Sequence, residues 1–149
     1  MGELKKLVMG LMKVNHESKY HPETNVFNHT IQVVFSALAE TDDVDLITAC
    51  LLHDVGKNAT IYEHEQVGAK LVEPYVNEKV RWLVENHLRI NYYLCGKMRS
   101  GKAKMLFSSK WFPDLVRLRR WDVMGRDPDF RLSENVLEKF GVIVDKYLR

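Results

Sequence analysis

Ala49-Cys50-Leu51-Leu52-His53-Asp54-Val55-Gly56-Lys57 is an apolar run that abruptly presents an imidazole, a carboxylate, a glycine and an ammonium group. Burying His53 and Asp54 at the end of such a run costs free energy, because a desolvated carboxylate without a partner is strongly disfavoured. A metal ion would pair with both. Neighbouring His and Asp side chains at a helix terminus can reach one cation, and Gly56 removes a side chain that would crowd its approach while ending the helix. The competing account is a buried histidine with an ion pair at a helix end, and this stretch alone leaves both open.

Residues of the same chemistry recur along the chain on faces that helical spacing turns inward. His29 falls in the first turn of a helix read over 28–40, on the side flanked by Val33; alone it would be a cap or a satisfied core residue. His64, Gly68 and Leu71 stand at i, i+4 and i+7, which aims His64 along an inward face. Gly68 inside a helix costs up to about 1 kcal/mol relative to alanine, so the close approach of another helix or a bound group is expected there. His87 shares a face with Val80, Leu83 and Val84. Asp122 shares a stripe with Leu115 and Leu118 and needs a cation, which Arg119 or Arg126 could also supply by simple salt bridging. His16 and His21 lie in a polar stretch, 15–25, that reads as an exposed loop.

The elements that must position these groups are helical. Leu4, Leu7, Val8, Leu11 and Met12 mark an amphipathic helix over 3–13. Thr41-Asp42-Asp43 offers N-cap oxygens for a helix over 44–55 that is apolar nearly all round and so should be the buried, central one. Further helices are read after Lys57 up to Pro74, over 77–88, and over 111–125. Ser133 caps a last one carrying Val136, Leu137, Phe140 and Val144, with Leu132 and Leu137 placed as a hydrophobic staple. No strand, repeat or linker stands out. The reading is a single all-α domain over 1–149, with its site core at about 25–129 and flanking helices at 3–13 and 133–148.

Composition bounds the function. The chain has 149 residues, a formal charge of +2 and 46% hydrophobic residues, which suits one globular domain and gives no bulk-charge argument for nucleic acid. Cys50 and Cys95 have no metal or disulfide-framework spacing, so reduced thiols in a cytoplasmic protein are expected. No membrane partner, signal peptide or myristoylation signal is read. Segment 86–113 has no acidic residue yet holds Arg89, Lys97, Arg99, Lys102, Lys104 and Lys110, with Tyr92 and Tyr93 among them. It reads as a solvated basic loop or as a region that concentrates an anionic, phosphate-bearing substrate.

In order, the inward groups are His29, His53-Asp54, His64, His87 and Asp122. On these residues the chain resembles the HD-domain superfamily of metal-dependent phosphohydrolases, whose pattern H…HD…D extends in dinuclear members to H…HD…H…H…D. The stretch from Leu51 to Lys57 looks like its core motif, and the resemblance runs from about Asn25 to Asp129. Tyr62, His64, Gly68, Glu85-Asn86-His87, Arg119-Arg120-Trp121-Asp122 and Gly125-Arg126 are similar to the HD domains of CCA-adding and RNA-repair enzymes. Those act on 2′,3′-cyclic phosphates and on 2′- or 3′-phosphates of nucleotides or RNA ends; the nucleotidyltransferase or kinase domain that accompanies them has no counterpart in these residues.

The resemblance implies an HD-type helical bundle with a central metal site. His29, His53, Asp54 and Asp122 would hold a first ion, and His64 and His87 a second, with Asp54 bridging. The implied activity is hydrolysis of a phosphomonoester or phosphodiester by a metal-activated water, with Asp54 and Lys57 as catalytic residues. Lys57, Arg89, Arg119 and Arg126 are the candidates for phosphate contacts. Mixed His and carboxylate donors suit one or two ions of Mn, Fe, Co, Ni or Zn. Two alternatives stay open: an HD-type di-iron oxygenase with the same six donors, and a non-catalytic module that binds nucleotide or RNA.

Overall fold

The computed structural model describes residues 2–15 and 25–148. These are helical, with no strand beyond an isolated Asn15–Asn25 bridge. The α-helices among the described residues are, in order, α1 (Glu3–Gly10), α2 (Val26–Leu38), α3 (Val44–Leu52), α4 (His64–Val72), α5 (Glu78–Asn86), α6 (Arg89–Leu94), α7 (Ser100–Phe107), α8 (Phe112–Met124) and α9 (Glu134–Tyr147). The fold is all-α. His16, His21 and Pro22 lie outside the described residues.

Several helices start where side-chain acceptors are available. Asn25, Asp43, Asn77 and Ser133 accept the N–H of Asn28, Leu46, Val80 and Val136, each cap being worth about 1 kcal/mol. In α3 every residue from Leu46 to Leu52 is buried, as its all-round apolar sequence predicts, and α1, α2, α5, α8 and α9 pack around it. Each buried leucine there contributes about 2 kcal/mol of transfer free energy. Trp121 in α8 is fully buried; its indole N–H donates to Glu40, and Arg120 donates to the same carboxylate at 2.6 Å. That clamp fixes the C-terminal half of α8 against the end of α2.

The structure corrects three expectations. Helix α3 stops at Leu52 rather than Val55: His53 is its C-cap, Asp54 leaves helical backbone at φ −109° and ψ 7°, and Val55–Asn58 form a 3-10 turn. Gly56 serves a packing contact rather than access for an ion. A Cβ there would stand 1.9 Å from the His64 carbonyl oxygen and 2.7 Å from the Gly68 nitrogen, so the two glycines let the turn lie directly on α4. Of the two readings of segment 86–113, the solvated loop is the one overturned, since the segment carries α6 and α7. Each buries only one side chain, Ile90 and Leu106, which is why no apolar stripe announces them.

Candidate metal centre

Five helices deliver the six candidate donors to one place. His29 sits near the start of α2, His53 and His87 are the C-caps of α3 and α5, His64 is the first residue of α4, and Asp122 lies in the last turn of α8. Asp54 follows His53 directly. All six are buried. Glu63, before His64, is at φ 53°, a left-handed conformation that side-chain-bearing residues seldom adopt, and it turns the chain sharply into α4.

Asp54 joins the two sides of the cluster. Its Oδ2 faces His53 Nε2 at 3.2 Å and His29 Nε2 at 3.7 Å, whereas its Oδ1 faces His64 Nε2 at 3.0 Å and His87 Nε2 at 3.5 Å. Asp122 Oδ1 lies 2.7 Å from His29 Nε2 and 3.4 Å from His53 Nε2. The Nε2 atoms of His64 and His87 are 3.2 Å apart. His29, His53 and Asp54 form one group whose donor atoms could hold a metal ion, and Asp54, His64 and His87 form another.

The far side of each ring explains why these donors converge. His53 Nδ1 donates to the Cys50 carbonyl at 2.7 Å, His87 Nδ1 to Val84 at 2.7 Å, His64 Nδ1 to Ile61 at 3.1 Å and His29 Nδ1 to Gly125 at 2.8 Å. A carbonyl can only accept, so each Nδ1 carries a proton and each Nε2 of a neutral ring presents a lone pair. Those lone pairs face carboxylate oxygens or one another. Acceptors confronting acceptors in a buried site require a cation between them, either protons or a metal ion. His53 is moreover fully buried, with oxygens of Asp54 and Asp122 at 3.2 Å and 3.4 Å from its Nε2. The donor set fits a divalent transition metal, with carbonyl partners fixing the tautomer as metal-ligating imidazoles require.

Without an ion, charge is balanced by protons. Burial alone would pull His53 down, but the carboxylates of Asp54 and Asp122 outweigh it and the imidazole is pushed up to about 10. Burial would raise Asp54, yet His53 and Lys57 hold it well below the usual carboxylate range. Asp122 is likewise held low against burial, by His29 and His53. His87 is shifted down, chiefly by burial.

Lys57 is buried, with Nζ 3.5 Å from Asp54 Oδ2, and not the solvated helix-end lysine that its position would otherwise suggest. With His64 it lines a cleft of about 1310 Å³ bounded on its far side by α6 and α7. Arg89, Lys97, Arg99 and Lys102 line the same cleft, so the basic segment faces the centre. Arg89 also donates to Asn86 Oδ1 at 3.1 Å. Arg119 and Arg126 are placed otherwise. Arg119 donates to Asn91 at 3.0 Å, Arg126 buries its Nε, and neither lines the cleft. Among the described residues neither pairs with Asp122, which faces His29 and His53 instead.

Sequence reasoning missed the four carbonyls. Three follow a local rule, since His53, His64 and His87 each reach the carbonyl three residues back; the fourth, Gly125, is 96 positions from His29 and left no local signal. Gly125 must be glycine for a related reason, because a Cβ there would stand 2.6 Å from Val33 Cγ2.

The HD domain family model matches residues 26–106. A multifunctional CCA protein of Pseudomonas fluorescens is 33% identical over 48% of the chain, and that of a second strain is 33% identical over 50%. The chain spans only 19% and 20% of the length of those two relatives. A hydroxymethylphosphonate dioxygenase of Gimesia maris is 28% identical over 81% of the chain and 77% of its own length. HD domains bind divalent metal ions, and no helix among the described residues is long and apolar enough to cross a membrane.

Proposed function

The chain belongs to the HD domain family, and from that premise we propose that it is a metal-dependent phosphohydrolase cleaving a phosphomonoester or phosphodiester of a nucleotide or RNA end. The observation that supports this reading is Asp54, whose two oxygens serve opposite sides of the centre while Lys57 stands between it and a basic cleft. His29, His53, Asp54 and Asp122 would hold one ion, and His64, His87 and the other oxygen of Asp54 a second. A divalent ion held there supplies Lewis-acid chemistry, which activates water toward phosphorus at neutral pH and neutralises phosphoryl charge.

The chain's own residues do the rest. Arg89, Lys97, Arg99 and Lys102 draw an anion into the cleft. Lys57 lies deepest of these cations and receives the phosphoryl oxygens beside Asp54. The carbonyls of Cys50, Val84, Ile61 and Gly125 keep the Nδ1 protons on their rings, so that the Nε2 lone pairs stay aimed inward throughout.

The test is a panel of phosphomonoesters, generic phosphodiesters and nucleotide 2′,3′-cyclic phosphates, offered to protein loaded separately with Mn, Fe, Co, Ni or Zn. Turnover by at least one metal form, abolished in Asp54→Ala, is expected; no turnover across the panel by fully loaded protein would sink the proposal. A second reading has its own support. The Gimesia maris relative covers most of the chain and is a dioxygenase acting on a phosphonate, and the same six donors suit a pair of irons. Oxygen consumption by the iron form with a phosphonate, together with a silent hydrolysis panel, would favour it.

A further inference from the structure

Glu65 follows His64 in the first turn of α4 and lines the same cleft as Lys57. It is only 9% exposed, and its Oε2 is buried with no hydrogen-bond partner. A buried, unsatisfied acceptor costs about 1–3 kcal/mol, and more when charged. A carboxylate in a first helical turn is favoured electrostatically by the helix N-terminus, but that attraction leaves the acceptor empty.

We propose that Glu65 is a specificity-determining residue that accepts a hydrogen bond from a hydroxyl on the substrate carbon next to the phosphoester. The proposal rests on the phosphoester reading of the cleft and narrows it to vicinal hydroxy-phosphoesters, ribose phosphates among them. The donor is neutral, because Lys57, Arg89, Lys97, Arg99 and Lys102 line the same space and would repel a substrate ammonium while attracting the phosphate. The hydroxyl is placed beside the phosphoester because Glu65 lines the same cleft as Lys57 and His64, which lie 3.5 Å and 3.0 Å from the oxygens of Asp54. A site built to hydrogen-bond a hydroxyl rejects the analogue lacking it, since the site's own buried polar group is then left unpaired.

The experiment compares adenosine 3′-phosphate with its 2′-deoxy analogue, measuring Kd by calorimetry and kcat/KM on the metal-loaded protein. The wild type is expected to bind the hydroxyl-bearing nucleotide about tenfold or more tightly. Glu65→Ala should reduce that ratio to about twofold or less, and Glu65→Gln, which retains a neutral acceptor, should fall between them. Thermal melting of both variants separates this from a purely structural role, which would shift the melting temperature and leave the ratio intact. A wild-type ratio near one, a wild-type ratio that survives in Glu65→Ala, or binding of neither nucleotide overturns the proposal. If both nucleotides bind with the expected ratio but neither is hydrolysed, the hydrolase reading fails while Glu65 keeps its role.

Discussion

Asp54 divides the centre into two unequal halves. On the inner side stand His29, His53 and a second carboxylate, Asp122, none of which lines the cleft. On the outer side stand His64 and His87 with no carboxylate but the shared one, and His64 opens onto the cleft. A divalent ion is more strongly attracted to two carboxylates than to one, and a site shut off from solvent releases it more slowly. The halves are therefore suited to different tasks. The inner half would retain an ion, and the outer half would exchange one and meet the substrate.

Removing one proposed ligand from each half gives the largest expected effect. Loss of an outer hydrogen-bond partner of a ligand already costs about 10–100-fold in affinity or activity, so loss of a ligand should cost at least about a hundredfold. Both Asp122→Asn and His87→Ala should therefore be nearly inactive. They should differ in metal content after dialysis: His87→Ala keeps the inner ion, whereas Asp122→Asn loses it. Equal metal content in the two variants would erase the distinction between the halves.

A smaller effect separates the halves through packing. Gly56→Ala would place a Cβ 1.9 Å from the His64 carbonyl oxygen, and because that atom is backbone, α4 and the turn must separate. Overpacking of this kind costs about 1–3 kcal/mol. Of the two pieces, α4 carries His64 and the turn follows Asp54, the proposed ligand shared by both ions, so metal titration should show the outer ion weakened more than the inner one. Gly68→Ala, whose nearest contact would be 3.2 Å from the Gly56 nitrogen, should be milder in both denaturant unfolding and metal titration. Equal weakening of both ions by Gly56→Ala would mean that the halves respond as one body.

The same contrast between local and distant causes explains what the sequence disclosed. The six inward groups were legible because each lies on a helix with its own apolar period or at the end of one: His87 shares a face with Val80, Leu83 and Val84, and Asp122 with Leu115 and Leu118. Asp43 and Ser133 were legible as caps because a cap acts within three residues. The purpose of Gly56 was not legible, since it depends on a carbonyl that α4 brings back against the turn. Nor were α6 and α7, which bury one side chain apiece and are held by the surface they cover. Arg119 and Arg126 stand within four positions of Asp122, close enough in sequence to suggest pairing or a phosphate contact. The helix instead turns Arg119 toward Asn91.

Acidity offers the finest test of the two halves, through the protons that stand in for ions in metal-free protein. His53 is raised from 6.5 to about 10, so its contribution to stability is complete below about pH 6.5 and is lost as pH rises toward 10. Asp54 and Asp122 are lowered, so theirs is present above the ordinary carboxylate range and disappears only in strong acid. His87 is lowered by burial; below about pH 6.5 the unfolded chain binds a proton that folded His87 declines, which costs stability. An ion entering the inner half must displace the proton on His53, and each displaced proton makes apparent affinity rise about tenfold per pH unit below the pKa. No such proton sits on His87 at neutral pH. Between pH 7 and 8.5, chelator competition with Mn should show inner-half affinity climbing with pH more steeply than outer-half affinity, with proton release in lightly buffered solution. Identical slopes for the two ions would mean that His53 and His87 do not differ in charge, and the electrostatic basis for unequal halves would be gone.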